Sequence, residues 1–147
     1  MTRATLGSWA SAADHWLRQA AASNPITPSK VLERLTADTD AIVRQAAAGN
    51  PSMPMAALER LAQDEDDDVR RAVALNPSGP TAALDHLTDD TSILMQTRLA
   101  VNPSMTPTAL ERLGAKASFT VRWLVAQHPL ILLESLSNQT NDEPVQI

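Results

Sequence analysis

Arginine stands at positions 18, 44, 70 and 122, all in step with a spacing of 26 residues, and Gln96 fills the copy between. Arg18, Arg44, Arg70 and Arg122 along one edge have the chemistry to follow the phosphates of a nucleic acid or the carboxylates of an acidic partner. Asp14, Asp40 and Asp66 lie four residues before the first three, with Ser92 before Gln96 and Ser118 before Arg122. Asp-to-Arg pairs one helical turn apart are therefore expected in three copies, each worth roughly 0.2–0.5 kcal/mol on an exposed helix. Ser92 and Gln96 change together, as if a pair had been dropped. Phosphate contact is the alternative use of the column.

Other reactive residue types fall into no catalytic pattern. The acidic run Asp64 to Asp68 lacks calcium-loop spacing, with neither Gly at its sixth position nor Glu at its twelfth. It is expected to be a solvated loop that places negative charge at a helix start. His15, His86 and His128 sit in three different columns of the 26-residue pattern, so no metal or acid–base cluster is expected. With four Gly and no Cys in the chain, there is no phosphate-cradling loop, thiolate zinc site, disulfide or cysteine nucleophile. An enzyme is not expected, and no cofactor or metal.

Composition narrows the class. Of the 147 residues, 44% are hydrophobic but only 3% aromatic, so the apolar surface is mostly Ala, Leu and Val. That suits closely approaching helices better than strands, which favour β-branched and aromatic residues. A net charge of −5 weighs against a nucleic-acid or anionic-membrane role. No apolar run reaches the roughly 20 residues needed to span a bilayer, and the N-terminal residues lack the apolar core of a signal peptide. A cytoplasmic protein is the default expectation.

The copying itself is the strongest signal. Asn-Pro recurs at Asn24, Asn50, Asn76 and Asn102, and His128-Pro129 continues the series. Leu32, Leu58, Leu84, Leu110 and Leu136 keep step, as do Leu35, Leu61, Leu87 and Leu113. Val43, Val69, Met95 and Val121 form a third column, and Ala48, Ala74, Ala100 and Ala126 a fourth. A fixed period of this kind marks stacked units that bury their apolar faces only against each other. The expected fold is an all-α solenoid of four full repeats, 24–49, 50–75, 76–101 and 102–127. Residues 1–23 are expected to form an N-terminal capping helix and half repeat, and 128–147 a C-terminal cap whose polar tail, 137–147, frays.

Within one unit the element boundaries are legible. Asn50 is placed to close the preceding helix in a left-handed conformation, and Pro51 cannot continue it. Pro28, Pro54, Pro80 and Pro107 suit the first turn of a short helix, partly 3₁₀. A loop and a second helix of about two turns follow. In that helix Val69, Ala72 and Val73 face inward and Arg70 and Arg71 outward. An internal ladder of Asn side-chain hydrogen bonds is a further expectation.

The unit "NPSMPMAALERLAQDEDDDVRRAVAL" (50–75) resembles the bacterial leucine-rich repeat variant family, over about 17–136. Asn-Pro, the second Pro, Leu-x-x-Leu, Asp and Val-Arg carry the resemblance. It implies α-helices alternating with 3₁₀ helices in a right-handed superhelix without β-sheet. A founding member adds a cysteine-ligated iron–sulfur cluster, which a chain with no Cys does not have. The resemblance implies no catalytic activity.

Function is then expected in what does not repeat. Trp123 replaces Gln19, Gln45, Arg71 and Thr97, an outward column, and is either covered by Leu130 to Leu136 or an exposed anchor for a partner. Arg98 replaces Ala20, Ala46 and Ala72, a column expected to pack inward. Trp9 and Trp16 are expected on one face of a single N-terminal capping helix. Charge is uneven: Lys and Arg minus Asp and Glu give 3 − 6 = −3 for 50–75, 1 − 3 = −2 for 76–101 and 3 − 1 = +2 for 102–127. The expectation is a non-enzymatic scaffold that binds another protein, of unspecified identity, with Arg71, Arg98, Arg122 and Trp123 as candidate contacts. Nucleic-acid binding through the arginine column and self-association are the alternatives, and the chain is expected to be a monomer or weak dimer.

Overall fold

The structure, a computed structural model, describes the backbone of residues 1–141 and the side chains of 1–137. Among those residues every regular element is an α-helix. After α1 (Arg3–Trp9) come α2 (His15–Ser23), α3 (Ser29–Leu35), α4 (Ala41–Ala48), α5 (Met55–Leu61) and α6 (Asp67–Leu75). Then follow α7 (Thr81–Leu87), α8 (Ile93–Ala100), α9 (Pro107–Lys116), α10 (Phe119–Ala126) and α11 (Pro129–Asn141). The chain packs α2 on α4, α4 on α6, α6 on α8 and α8 on α10, while α3, α5, α7 and α9 lie between them in sequence. No helix among the described residues is long and apolar enough to cross a membrane.

Local chemistry sets the boundaries. Asp14, Asp40 and Asp66 are N-caps, their carboxylates accepting from Trp16 N at 2.8 Å, Ile42 N at 3.0 Å and Asp68 N at 2.8 Å. A carboxylate spent on the first turn is held away from a residue one turn later, and the expected Asp-to-Arg pairs within a helix do not form. Pro28, Pro54 and Pro80 sit one position earlier than expected, as N-caps with extended backbone, while Pro107 opens α9 at its first residue. The short helices are α-helical, with no 3₁₀ stretch among the described residues: Leu32 N bonds Pro28 O at 3.0 Å and Leu58 N bonds Pro54 O at 3.1 Å.

Leu32, Leu58, Leu84 and Leu110 are buried together with Leu35, Leu61, Leu87 and Leu113. Val43, Val69, Met95 and Val121 face them from the helices that follow. The small residues Ala48, Ala74 and Ala100 are also buried. The last members of two columns depart: Leu136 is 60% exposed and Ala126 is exposed. Leu136 lies on α11, which meets the remainder mainly through α10 and has no neighbour on its outer side among the described residues. Of the tail expected to fray, 137–141 continues α11 and the rest lies outside the described residues.

The Asn column is a ladder through the buried centre. Nδ2 of Asn50 donates to Ala22 O at 2.6 Å and Asn24 O at 2.9 Å. Asn76 repeats this onto Ala48 O and Asn50 O, and Asn102 onto Ala74 O and Asn76 O. Each Oδ1 accepts from the backbone two residues on, at Ser52, Ser78 and Ser104. His128 takes the next rung: Nδ1 accepts from Leu130 N at 3.3 Å, so Nε2 carries the proton and donates to Asn102 O at 3.1 Å. The left-handed cap expected at Asn50 is absent, since no residue among those described has positive φ. Asn24 and Asn76 have extended backbone instead, with φ −79° and −70°. The side chain satisfies carbonyls of the preceding copy, so no left-handed turn is needed.

The N-terminal residues also differ from expectation. Trp9 ends α1 and Trp16 begins α2, separate helices divided at the Asp14 cap. Trp9 packs against the core, whereas Trp16 is 63% exposed and lies beside the His15 ring.

Candidate functional site

Three of the four arginines of the column are consumed by the fold. Arg18 Nε donates to Asp38 Oδ2 at 2.7 Å and Nη2 to Asp38 Oδ1 at 3.0 Å, while Nη1 donates to the carbonyls of Ala12 and Ala13. Arg44 repeats the fork on Asp64, at 2.9 and 3.0 Å, with Nη1 on Asp38 O. One guanidinium thus closes the loop behind it, six residues back, and grips the next loop, 20 residues on. Arg70 keeps the backward contacts, to Asp64 O and Glu65 O, and turns its remaining nitrogen to Asp67. Gln96 keeps the backward bond to Asp90 O at 3.1 Å. Twenty residues after Gln96 stands Lys116, where Asp38, Asp64 and Asp90 stand in the other copies. The forward partner changed sign and the arginine left with it.

The acidic residues answer these cations. Burial pushes Asp38 and Asp64 towards the neutral form, but hydrogen bonds from Arg18 and Arg44, from the Asp40 and Asp66 backbone N–H groups, and the arginine charges outweigh it. Both carboxyls titrate below their ordinary range. In the run 64–68, Asp64 takes Arg44, Asp66 caps α6, Asp67 meets Arg70 and Asp68 meets Arg71. No group of three or more His, Asp or Glu side chains that could hold a metal stands among the described residues. Arg18, Arg44 and Arg70, with side chains only 16%, 11% and 23% exposed, are not presented to a phosphate backbone.

The other candidates fare differently. Arg71 is tied to Asp68, whose hydrogen bond raises its pKa, and it does not stand free as a contact. Arg122 is exposed, makes no ion pair with a described residue, and borders a groove shared with Glu134 between α9, α10 and α11. Arg98 is half-buried, and its Nε is buried without a hydrogen-bond partner. Trp123 is 55% exposed and Phe119, one turn earlier on α10, 76%. Leu130 to Leu136 do not cover Trp123; within that segment Leu132, Leu133 and Leu136 are exposed themselves.

Register relates Arg98 and Trp123 to the lining of one groove. Over α4 a groove of about 450 Å³ is lined by Ile42, Gln45, Ala46 and Gly49, with Ala72 and Leu75 from α6. The same columns on α8 are Leu94, Thr97, Arg98 and Val101, and on α10 the Gln45 column is Trp123. Over α4 the groove mixes Gln45 with exposed Ile42 and Leu75, whereas on α8 and α10 Ile93, Leu94 and Val101 are exposed along with Phe119 and Trp123. Single exposed apolar residues mean little, but these five stand on two helices that pack against each other.

The chain matches no family model, no curated protein and no solved structure.

Phe119 was missed by sequence reasoning, although it occupies the column of His15, Ala41, Asp67 and Ile93 and lies four residues before Trp123. Its helical spacing from Trp123 was the available signal.

Proposed function

We propose that the chain is a non-enzymatic helical-repeat scaffold, a solenoid of four 26-residue units related to the leucine-rich repeat variant family, that binds another protein across α8 and α10. The observation that carries this is the exposed pair Phe119 and Trp123 beside Ile93, Leu94 and Val101. Burying an aromatic side chain contributes more to an interface than almost any other contact, and such anchors dominate binding energy. The repeat reading is supported by the Asn ladder and by arginine forks that join one copy to the next. The nucleic-acid alternative loses its support, because Arg18, Arg44 and Arg70 are spent on carboxylates and carbonyls.

The test is capture from nuclease-treated lysate by the immobilised protein, beside Phe119→Ser/Trp123→Ser of equal helical content. A protein retained by the parent and lost by the variant is the expected result. Equal retention by both, or recovery of nucleic acid alone before nuclease treatment, overturns the proposal.

A further inference from the structure

We infer that the occupant of the α8–α10 face is an acidic amphipathic segment of a partner protein, its apolar side chains on Phe119 and Trp123 and a carboxylate on Arg98. This rests on the protein-binding reading above and specifies the chemistry of the partner. Three observations lead to it. The first is charge: α8 and α10 contain two cations, Arg98 and Arg122, and no Asp or Glu. Elsewhere the second helices or their caps bring acids with their arginines, as Asp66, Asp67 and Asp68 do around Arg70 and Arg71. Asp67 and Asp68 of α6, which packs on α8, stand in register with Ile93 and Leu94 but are paired with Arg70 and Arg71, so the charge left unpaired on this face is Arg98, which favours a negative partner.

The second observation is the column in which Arg98 stands. Ala46 and Ala72 line the groove over α4, and Ala20 holds the same register. A small residue at this position is compatible with the helix packing, so the arginine is not required by the fold. The third is that Arg98 Nε is buried and finds no acceptor. A buried donor left unpaired is unfavourable, and a carboxylate is the group that pairs a guanidinium through two parallel bonds. A partner carboxylate reaches the terminal nitrogens of Arg98 and not the shielded Nε, and no Asp or Glu of α8 or α10 competes for them.

The experiment uses three labelled synthetic helical peptides with one common Leu and Ile face, and Glu, Gln or Lys on the other. Each is titrated with the full chain and followed by fluorescence anisotropy. The Glu peptide is expected to bind tightest, with Arg98→Ala weakening it about tenfold, the scale of one charge-assisted contact. Arg98→Ala installs the residue of three other copies, so its fold is expected to persist, checked by helical content and melting. Phe119→Ser/Trp123→Ser is expected to weaken all three peptides. Equal or tighter binding of the Lys peptide, no loss with Arg98→Ala, or no binding of any peptide overturns the inference. If lysate capture still depends on Phe119 and Trp123 while the peptides show no charge preference, the protein-binding reading stands and this inference alone falls.

Discussion

Arg44 bypasses Asp40, one helical turn before it, and closes a two-bond fork on Asp64, 20 residues further along, at 2.9 and 3.0 Å. Asp40 is occupied with Ile42 N at the start of α4. The two carboxylates of the column therefore do different jobs: one starts a helix, the other links neighbouring loops.

That division is open to a double-mutant cycle. Arg44→Ala with Asp64→Ala is expected to show coupling of about 1–2 kcal/mol in chemical unfolding, because the pair is largely buried and bidentate. Arg44→Ala with Asp40→Ala should show coupling no larger than about 0.3–0.5 kcal/mol, the level of independent sites. The reverse order would restore the helix-surface pairing.

Asp38 and Asp64 titrate below the ordinary carboxylate range in the folded chain. Their stabilisation is complete above the unfolded value, about 3.9 for Asp, and is lost as pH falls through the lower folded value. Melting temperature should accordingly drop below about pH 4. In Asp38→Asn/Asp64→Asn, that part of the fall should flatten while the plateau at neutral pH sits lower. An unchanged acid limb in this variant would remove the two forks as its cause.

Asn76→Ala withdraws the donor from two buried carbonyls, Ala48 O and Asn50 O. Leaving buried acceptors unpaired should cost about 2–3 kcal/mol in urea unfolding. Asn24 makes no such pair of bonds among the described residues, and its Nδ2 meets only the Met1 sulfur at 3.5 Å. Asn24→Ala should therefore stay within about 0.5 kcal/mol of the parent. Similar costs at both positions would mean that the residue matters through its backbone preference and not through the ladder.

Gln96 and Lys116 offer a restoration test, since they occupy the positions of Arg44 and Asp64 two patterns further on. Gln96→Arg alone places a second cation on a loop that already carries Lys116, and should lower stability. Adding Lys116→Asp should recover it, giving favourable coupling in thermal unfolding although Lys116 gives up its 2.9 Å contact with Asp89. Absence of coupling would show that the forward link is not transferable between copies.

The repeated columns carried most of the fold. Leucines in step, valines and Met95 facing them, and Asn before Pro with room for a ladder pointed to helices packed on their neighbours, which the structure has. What the reading missed lay between columns. It compared Arg44 with Asp40 in its own helix, while the informative covariation joined Gln96 to Lys116 across copies. Trp9 and Trp16 were placed on one helix although Asp14 stands where Asp40 and Asp66 cap theirs. Trp123 could be recognised as an exception to an outward column, but its exposure depends on the course of α11, which a local pattern does not specify. Arg98 was legible as a foreign residue in an alanine column; its unpaired nitrogen required coordinates.

On the reading proposed above, the repeated residues hold the helices together and the unrepeated face of α8 and α10 binds the partner. The most direct measurement is amide hydrogen exchange on the protein, alone and with its captured partner. Protection concentrated in residues 93–101 and 119–127, with 15–48 unchanged, is the expected result. Protection along α2, α4 and α6 beside Arg18, Arg44 and Arg70, with α8 and α10 unaffected, would contradict it.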